Sequence, residues 1–426
     1  MKVQPGDLRV QKCLTRHLKS PAYRWDDLTD PRDPRGVRRP LAQLLDALLL
    51  GLLSGACSLR EVEAITEELG AFARQYVPER IPDTTLWDLI PRLFAEELRG
   101  KLVQQVRAAH RSKALRSEHL PCGVVAIDGK GLGALEHDAD GAAQKARRSH
   151  DHSPYWLSRV LRAVLVSAEA RPCIDQMPVP AKTNEMGTFA AFFRGLNEAY
   201  GGSDLFEIIT ADAGFTSREN AQLVHEADKG YIFALKETQP ELLREAKRLL
   251  SHRDDADAET DWEIYQGKRV RRRLFRTTEM AGYHDWDHLR QVWRVVQETW
   301  DPVHETLRRE ERYFVANVPT GRLTPSQILG LVRRHWAIEN DCFWTLDMMW
   351  REDKAPFCTR GDAAFVLAWL RLMAYNLLQQ ARRRHLRRKR PDGHRDSPSP
   401  WRRLFAWVVA ALRHPLVDPQ ESPACG

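Results

Sequence analysis

Apolar residues recur at helical spacing as far as about residue 118 and then give way to short runs of strand type, so the chain divides there. After a polar, irregular start, the turn-rich DPRDPRG at 30–36 leads into PLAQLLDALLLGLLSGAC at 40–57. That stretch is about the shortest that could span a bilayer, but it carries Gln43, Asp46 and two Ser, so it reads as a buried helix. Ser58 and Glu61 make a capping box that opens the helix LREVEAITEEL. A turn through Arg80 to Pro82 precedes DTTLWDLIPRLF, where Asp83 or Thr84 can cap a further helix. Two short helices joined in this way are compatible with a helix-turn-helix, and equally with an ordinary pair in a small helical domain. Residues 1–118 are therefore expected to be all-α, with DNA reading as one role.

From Leu120 the pattern is mixed. CGVVAIDGKG, WLSRVLRAVLVSA (156–168) and RPCIDQMPVP (171–180) read as three consecutive strands, the first ending on Asp128. A helix follows from near Thr183, then the strand LFEIITADAGF ending on Asp212, a helix capped by Ser217, and the strand YIFALKETQ. The order βββαβαβ predicts an α/β fold with a ribonuclease-H-like mixed sheet, its first part at 119–240. Residues 241–322 alternate polar with β-branched or aromatic positions and read as an inserted, separate small sheet. Its basic strand carries Lys268, Arg269, Arg271, Arg272, Arg273 and Arg276, which suits either phosphate tracking or a solvated face. The core resumes at 323–380. Asp362 can cap the apolar helix AAFVLAWLRLMAYNLLQQ that closes it, and 381–426 form a basic tail with an amphipathic segment and a loose end.

Within the second core segment, Thr324, Pro325 and Gln327 open a long helix running to Lys354. At roughly 100° per residue, Glu339 shares a face with Ile328, Val332, Trp336, Phe343, Leu346 and Trp350. A carboxylate on an apolar stripe needs a cation, a hydrogen-bond network or a raised pKa. A buried ion pair with an arginine would also satisfy it. Asp128 and Asp212 each follow an apolar strand and are followed within two residues by glycine, which reads as a turn leaving the carboxylate at a sheet edge. Three carboxylates from separate elements can hold two hard divalent cations roughly 3.5 to 4 Å apart, the arrangement of two-metal phosphoryl transfer.

Composition narrows the setting. The 426 residues suffice for two or three domains, and the net charge is +7. Arg382 to Arg390 (RRRHLRRKR) holds seven Lys or Arg and no acid, which equals the whole excess and suits a polyanion or a solvated tail. Seven scattered cysteines with no CxxC pair, and an N-terminus without a cationic start before an apolar core, predict free thiols in a reducing cytoplasm.

AIDGK (126–130), KTNE (182–185), TADAGF (210–215), ALKETQ (234–239) and HWAIEN with LD and ED (335–353) resemble, in order, the blocks of the DDE insertion-sequence transposases, in the group that includes the H-repeat-associated proteins. DPRGVRRPLAQLLDALLLGLLSGACSLREVEAI is similar to that group's leader, so the resemblance covers about 28–380. It implies a ribonuclease-H-like core and cleavage of double-stranded DNA at element ends, with strand transfer into a target. Two Mg²⁺ or Mn²⁺ ions would be held by Asp128, Asp212 and Glu339. It also implies a homodimer or higher assembly on DNA in a bacterial cytoplasm. His335 takes a place where more distant relatives often have Arg, and with Lys236, Arg269, Arg271 and Arg273 it is the basic set expected to contact DNA; a helix-face hydrogen bond is an alternative for His335. Gly131, Leu132 and Gly133 depart from the group's more usual Thr-Leu-Arg. A silent DNA-binding descendant and a nuclease without strand transfer are the alternative functions.

Overall fold

The computed structural model describes residues 5–135, 143–147, 152–354, 357–358, 363–387 and 396–413. Helices α1 (Pro5–Leu18), α2 (Leu41–Leu53), α3 (Leu59–Glu67), α4 (Ala71–Arg74), α5 (Asp83–Leu89) and α6 (Ala95–Arg111) make an all-helical N-terminal region. As its apolar run predicts, α2 is buried along nearly its whole length. No helix among the described residues is long and apolar enough to cross a membrane. Ser58 accepts the Glu61 N–H at 3.2 Å and the Glu61 carboxylate takes the Cys57 N–H, one residue short of a reciprocal box. Neither Asp83 nor Thr84 caps α5, whose N-cap is Pro82. The tight helix-turn-helix is not formed: α4 lies between α3 and α5, and the Asp83 N–H is tied at 3.1 Å to Glu63 of α3.

The core follows as β1 (Val124–Leu135), β2 (Gln144–Arg147), β3 (Pro154–Leu165), β4 (Cys173–Pro178), α7 (Glu185–Tyr200), β5 (Ile208–Ala211), α8 (Arg218–Glu226), β6 (Gly230–Leu235) and α9 (Pro240–Leu250). Strand β1 lies between β3, antiparallel, and β5, parallel, and β5 is parallel to β6. With β4 on the far side of β3, this is the mixed sheet that the strand order predicts. Antiparallel neighbours β1, β3 and β4 need only short connections, whereas β5 and β6 are reached through the crossover helices α7 and α8.

The insertion is not a separate sheet. Strands β7 (Ala258–Glu259), β8 (Glu263–Tyr265), β9 (Lys268–Thr277), β10 (Gln291–Asp301) and β11 (Thr306–Ala316) continue the core sheet, because β11 pairs antiparallel with β6 from Tyr313–Leu235 to Ala316–Ile232. Edge strands with free N–H and C=O groups recruit further strands, and β6 would otherwise be such an edge. Backbone hydrogen bonding therefore joins the inserted strands to the carboxylate-bearing half of the sheet.

After the sheet come α10 (Pro325–His335), α11 (Trp344–Trp350), α12 (Ala363–Gln380) and α13 (Trp401–Arg413). Thr324 and Gln327 form the predicted reciprocal capping box. Helix α12, almost entirely buried, closes the core against α2 and α6; its expected cap, Asp362, lies outside the described residues. The amphipathic segment is α13, which docks on α1 and α4 of the N-terminal region and on α11: Trp401 and Phe405 stand 5.7 and 5.6 Å from Trp350 of α11, and the Gly70 N–H bonds the Leu412 carbonyl at 2.9 Å. Among the described residues of the basic run before it, the arginines bond to the protein itself. Arg382 donates to the Ser399 carbonyl, Arg383 to Asp341, Arg384 to the Ala114 carbonyl and Arg387 to Glu169. The rest of that run and the last thirteen residues lie outside the described residues.

Candidate active site

Two carboxylates meet at the centre of the sheet. Ile127 of β1 is registered opposite Ala211 of β5, so the next residues, Asp128 and Asp212, emerge side by side from adjacent parallel strands. Strands in a sheet lie ~4.8 Å apart, which sets the scale of that separation. Asp212 stands at the end of its strand, and the Gly214 N–H folds back to its Oδ1 at 2.8 Å, the expected turn. Asp128 does not end its strand: β1 continues to Leu135, bulging between Gly131 and Ala134. Gly129 therefore serves a different purpose from the expected turn. A Cβ at Gly129 would overlap the carboxyl group of Glu185, so the glycine makes room for an acid carried by α7. The unusual Gly133 is also accounted for, since it takes φ +118° at the bulge.

Glu185 is the functional candidate that motif reading passed over. The Asn184 side chain accepts the Gly187 N–H at 2.8 Å and caps α7, which puts Glu185 in the helix's first turn. KTNE was visible as a block in the sequence, but nothing in its spacing shows that its last residue reaches Gly129.

The third predicted acid arrives on a broken helix. The single helix expected from Thr324 to Lys354 is interrupted after α10 by a π-helical turn, Ile338–Phe343, before α11 resumes. The wider turn shifts the phase of the apolar stripe. Ile328, Val332, Phe343, Leu346 and Trp350 stay buried, while Glu339 is exposed, yet near enough to Asp212 and Asp128 for their charges to interact. Turns of this kind concentrate at functional sites, where they re-aim one side chain without ending the helix.

The acids sense one another. Burial, with Glu339, Asp212 and Glu185 adding repulsion, pushes the Asp128 carboxyl up to about 7 against a single opposing bond from the Gly129 N–H. Glu339, although open to solvent, is raised by partial desolvation and by Asp212, with Arg312 opposing. Glu185 is raised by burial and by Asp212, with Arg159 opposing. A carboxyl crowded by three others favours a cation or a proton. The donors are all hard oxygens, the class that Mg²⁺ and Mn²⁺ take, so the residues fit such ions in kind. Among the described residues no group of three His, Cys, Asp or Glu side chains is already arranged around one point.

His335 lies behind these acids. Its Nδ1 is 2.8 Å from the Thr210 hydroxyl, and burial lowers its pKa to about 4, so it is a neutral ring tying α10 to β5. On β9 the expected DNA-facing arginines are shared out: Arg271 pairs with Glu298 and Glu259, Arg273 with Glu298, and Arg269 is exposed. Lys236 is exposed just beyond β6. The strand's other face, with Lys268 and Arg272, lines a cleft of about 910 Å³ between the inserted strands and α10.

The Transposase DDE domain family matches residues 121–377, more than half of the chain. The H repeat-associated putative transposase YhhI of Escherichia coli strain K12 is 24% identical over 366 residues, covering 82% of this chain and 88% of YhhI. The protein YbfL of the same strain matches to the same extent. The match runs from just before β1 to within α12, and the chain belongs to the DDE transposase domain family.

Proposed function

We propose that this chain is a DNA transposase of the insertion-sequence type, a polynucleotidyl transferase that cuts double-stranded DNA at the ends of an element and joins them to a target. Asp128, Asp212 and Glu339 are its metal-binding acids, and Glu185 supports Asp128 from α7. The carrying observation is the register of β1 and β5, which sets Asp128 beside Asp212, together with the raised pKa of Asp128. Mg²⁺ or Mn²⁺, when bound, supplies activation of a hydroxyl nucleophile and charge neutralisation at the phosphate.

The protein's own part is positional. In this reading the sheet fixes the two aspartates, Glu339 joins them from the π-helical turn at the surface, and the Thr210–His335 bond braces α10 against β5. Neutral His335 serves better as this brace than as a phosphate contact. Arg269 and Lys236 are exposed and make no ion pair among the described residues, which suits them to meet DNA at the surface, whereas Arg271 and Arg273 are balanced by carboxylates. Work on paired element ends favours a homodimer or larger assembly in the bacterial cytoplasm.

The test is joining of a labelled DNA end to a plasmid with Mg²⁺ or Mn²⁺. Joined product from the wild type and none from Asp128→Ala is the expected result. Cleavage without joining would reduce the reading to a nuclease, and DNA binding without either reaction would leave a silent descendant.

A further inference from the structure

The inserted strands present two unlike faces. On one, Arg271 and Arg273 are neutralised by Glu298 and Glu259, and Arg294 by Glu311. The other forms the floor of the cleft, with α10 as its wall. Seven Lys or Arg line that cleft against three acids, Asp301, Glu310 and Asp341. Those acids are already engaged: Asp301 with Lys268, Glu310 with Arg308 and Asp341 with Arg171. Arg272 and Arg333 share Glu263. Arg334 donates to two backbone carbonyls, and Arg312 makes no ion pair among the described residues.

Arg312 is the best placed of these cations. Its guanidinium lies 3.9 Å from the centre of the Trp336 ring, which holds it by its face and leaves its N–H edges available. It feels Glu339 directly, and the cleft ends along Trp336, Ala337 and Asn340, immediately beside that acid. Gln297, a side chain able to read bases, is occupied by Arg272 at 3.0 Å.

We infer that this cleft is the channel for the sugar-phosphate backbone of the DNA strand whose phosphodiester lies at Glu339, gripped through phosphates without regard to sequence. The inference rests on the proposed action on DNA. Arg312 and Arg272 contact phosphates nearest the acids, and Arg308 contacts the strand farther out. Joining the inserted strands to β6 fixes the channel relative to Asp128 and Asp212, so a gripped strand enters in one register.

The test is DNA-binding anisotropy across a KCl series, using two 30-base-pair duplexes of unrelated sequence and the full-length protein. Each neutralised phosphate adds ~0.9 to the slope of log affinity against log salt. Arg272→Gln with Arg312→Gln is expected to flatten that slope by about 1.8 and to weaken both duplexes equally, by about tenfold or more. Because Arg272 is buried, Arg308→Glu at an exposed position is the second variant, expected to weaken binding in the same sequence-independent way. Arg244→Gln, on α9 against the opposite face of the sheet, is the control and should bind as the wild type does. Wild-type affinity and slope in both cleft variants, or weakening confined to one sequence, overturns the inference. If the wild type joins DNA ends while the cleft variants bind normally, the inference alone fails. If the cleft variants lose binding while the wild type joins nothing, the channel stands and the transposase reading fails.

Discussion

Arg162 and Glu352, 190 residues apart in the chain, face each other in a two-pronged ion pair of 2.8 and 2.9 Å with neither side chain exposed, and Arg162 is registered directly opposite Asp128. Gln176 takes two more of the guanidinium's hydrogen bonds, and Lys130 pairs with Asp347 at 2.5 Å close by. The segment after Glu339 is thus locked to the strand that carries the first aspartate. Removing one partner would strand the other charge in the core, a loss of about 3–5 kcal/mol. Glu352→Ala should lower stability by that amount in urea unfolding, while Arg162→Met with Glu352→Met should lose clearly less. Equal losses would mean that packing, and not the unpaired charge, sets the cost.

Asp46 gives a pH dependence of definite sign. Burial in α2 pushes its carboxyl up to about 7, against one bond from the Trp25 indole at 2.8 Å. Between the ordinary carboxylate value of 3.8 and about 7, the folded protein holds a proton that the unfolded chain has lost. This residue's contribution therefore falls as pH rises through that window. Asp46→Asn keeps an acceptor for Trp25 and removes the titration. It should be more stable than the wild type by about 1–3 kcal/mol at pH 8, with the gain shrinking toward pH 4. Thermal melts across that range check this, and a gain independent of pH would refute it.

Glu185 and Gly129 should behave as one unit. Glu185→Gln removes the charge beside Asp128, and Gly129→Ala displaces the same carboxyl group by filling its space. Both are expected to weaken Mn²⁺ binding and DNA joining by about tenfold or more, as loss of a supporting group does at metal sites. Wild-type behaviour in Gly129→Ala would show that the close packing has no bearing on the site.

Much of this was readable from local patterns. The capping box at Thr324 and Gln327, the buried α2 and the strand order each depend on neighbours a few residues apart. Asp128 and Asp212 stood out only in combination with Glu339, since a single Asp-Gly near a strand reads as an ordinary turn. What escaped depends on partners distant in sequence. Glu185 matters through Gly129, and the pairing of β11 with β6 merges what looked like a separate sheet. Which face of β9 is neutralised follows from Glu298 and Glu259 on other strands. The π-helical turn escaped for another reason: helical periodicity assumes an unbroken phase, and the turn at Ile338–Phe343 resets it.

The central claim is that Asp128, Asp212 and Glu339 act together on divalent cations, and Mn²⁺ titration of the DNA-bound protein by electron paramagnetic resonance tests it most directly. Two bound ions are predicted for the wild type, with at least one lost in each of Asp128→Ala, Asp212→Ala and Glu339→Ala while DNA is still held. Unchanged Mn²⁺ binding in all three folded variants would contradict the account.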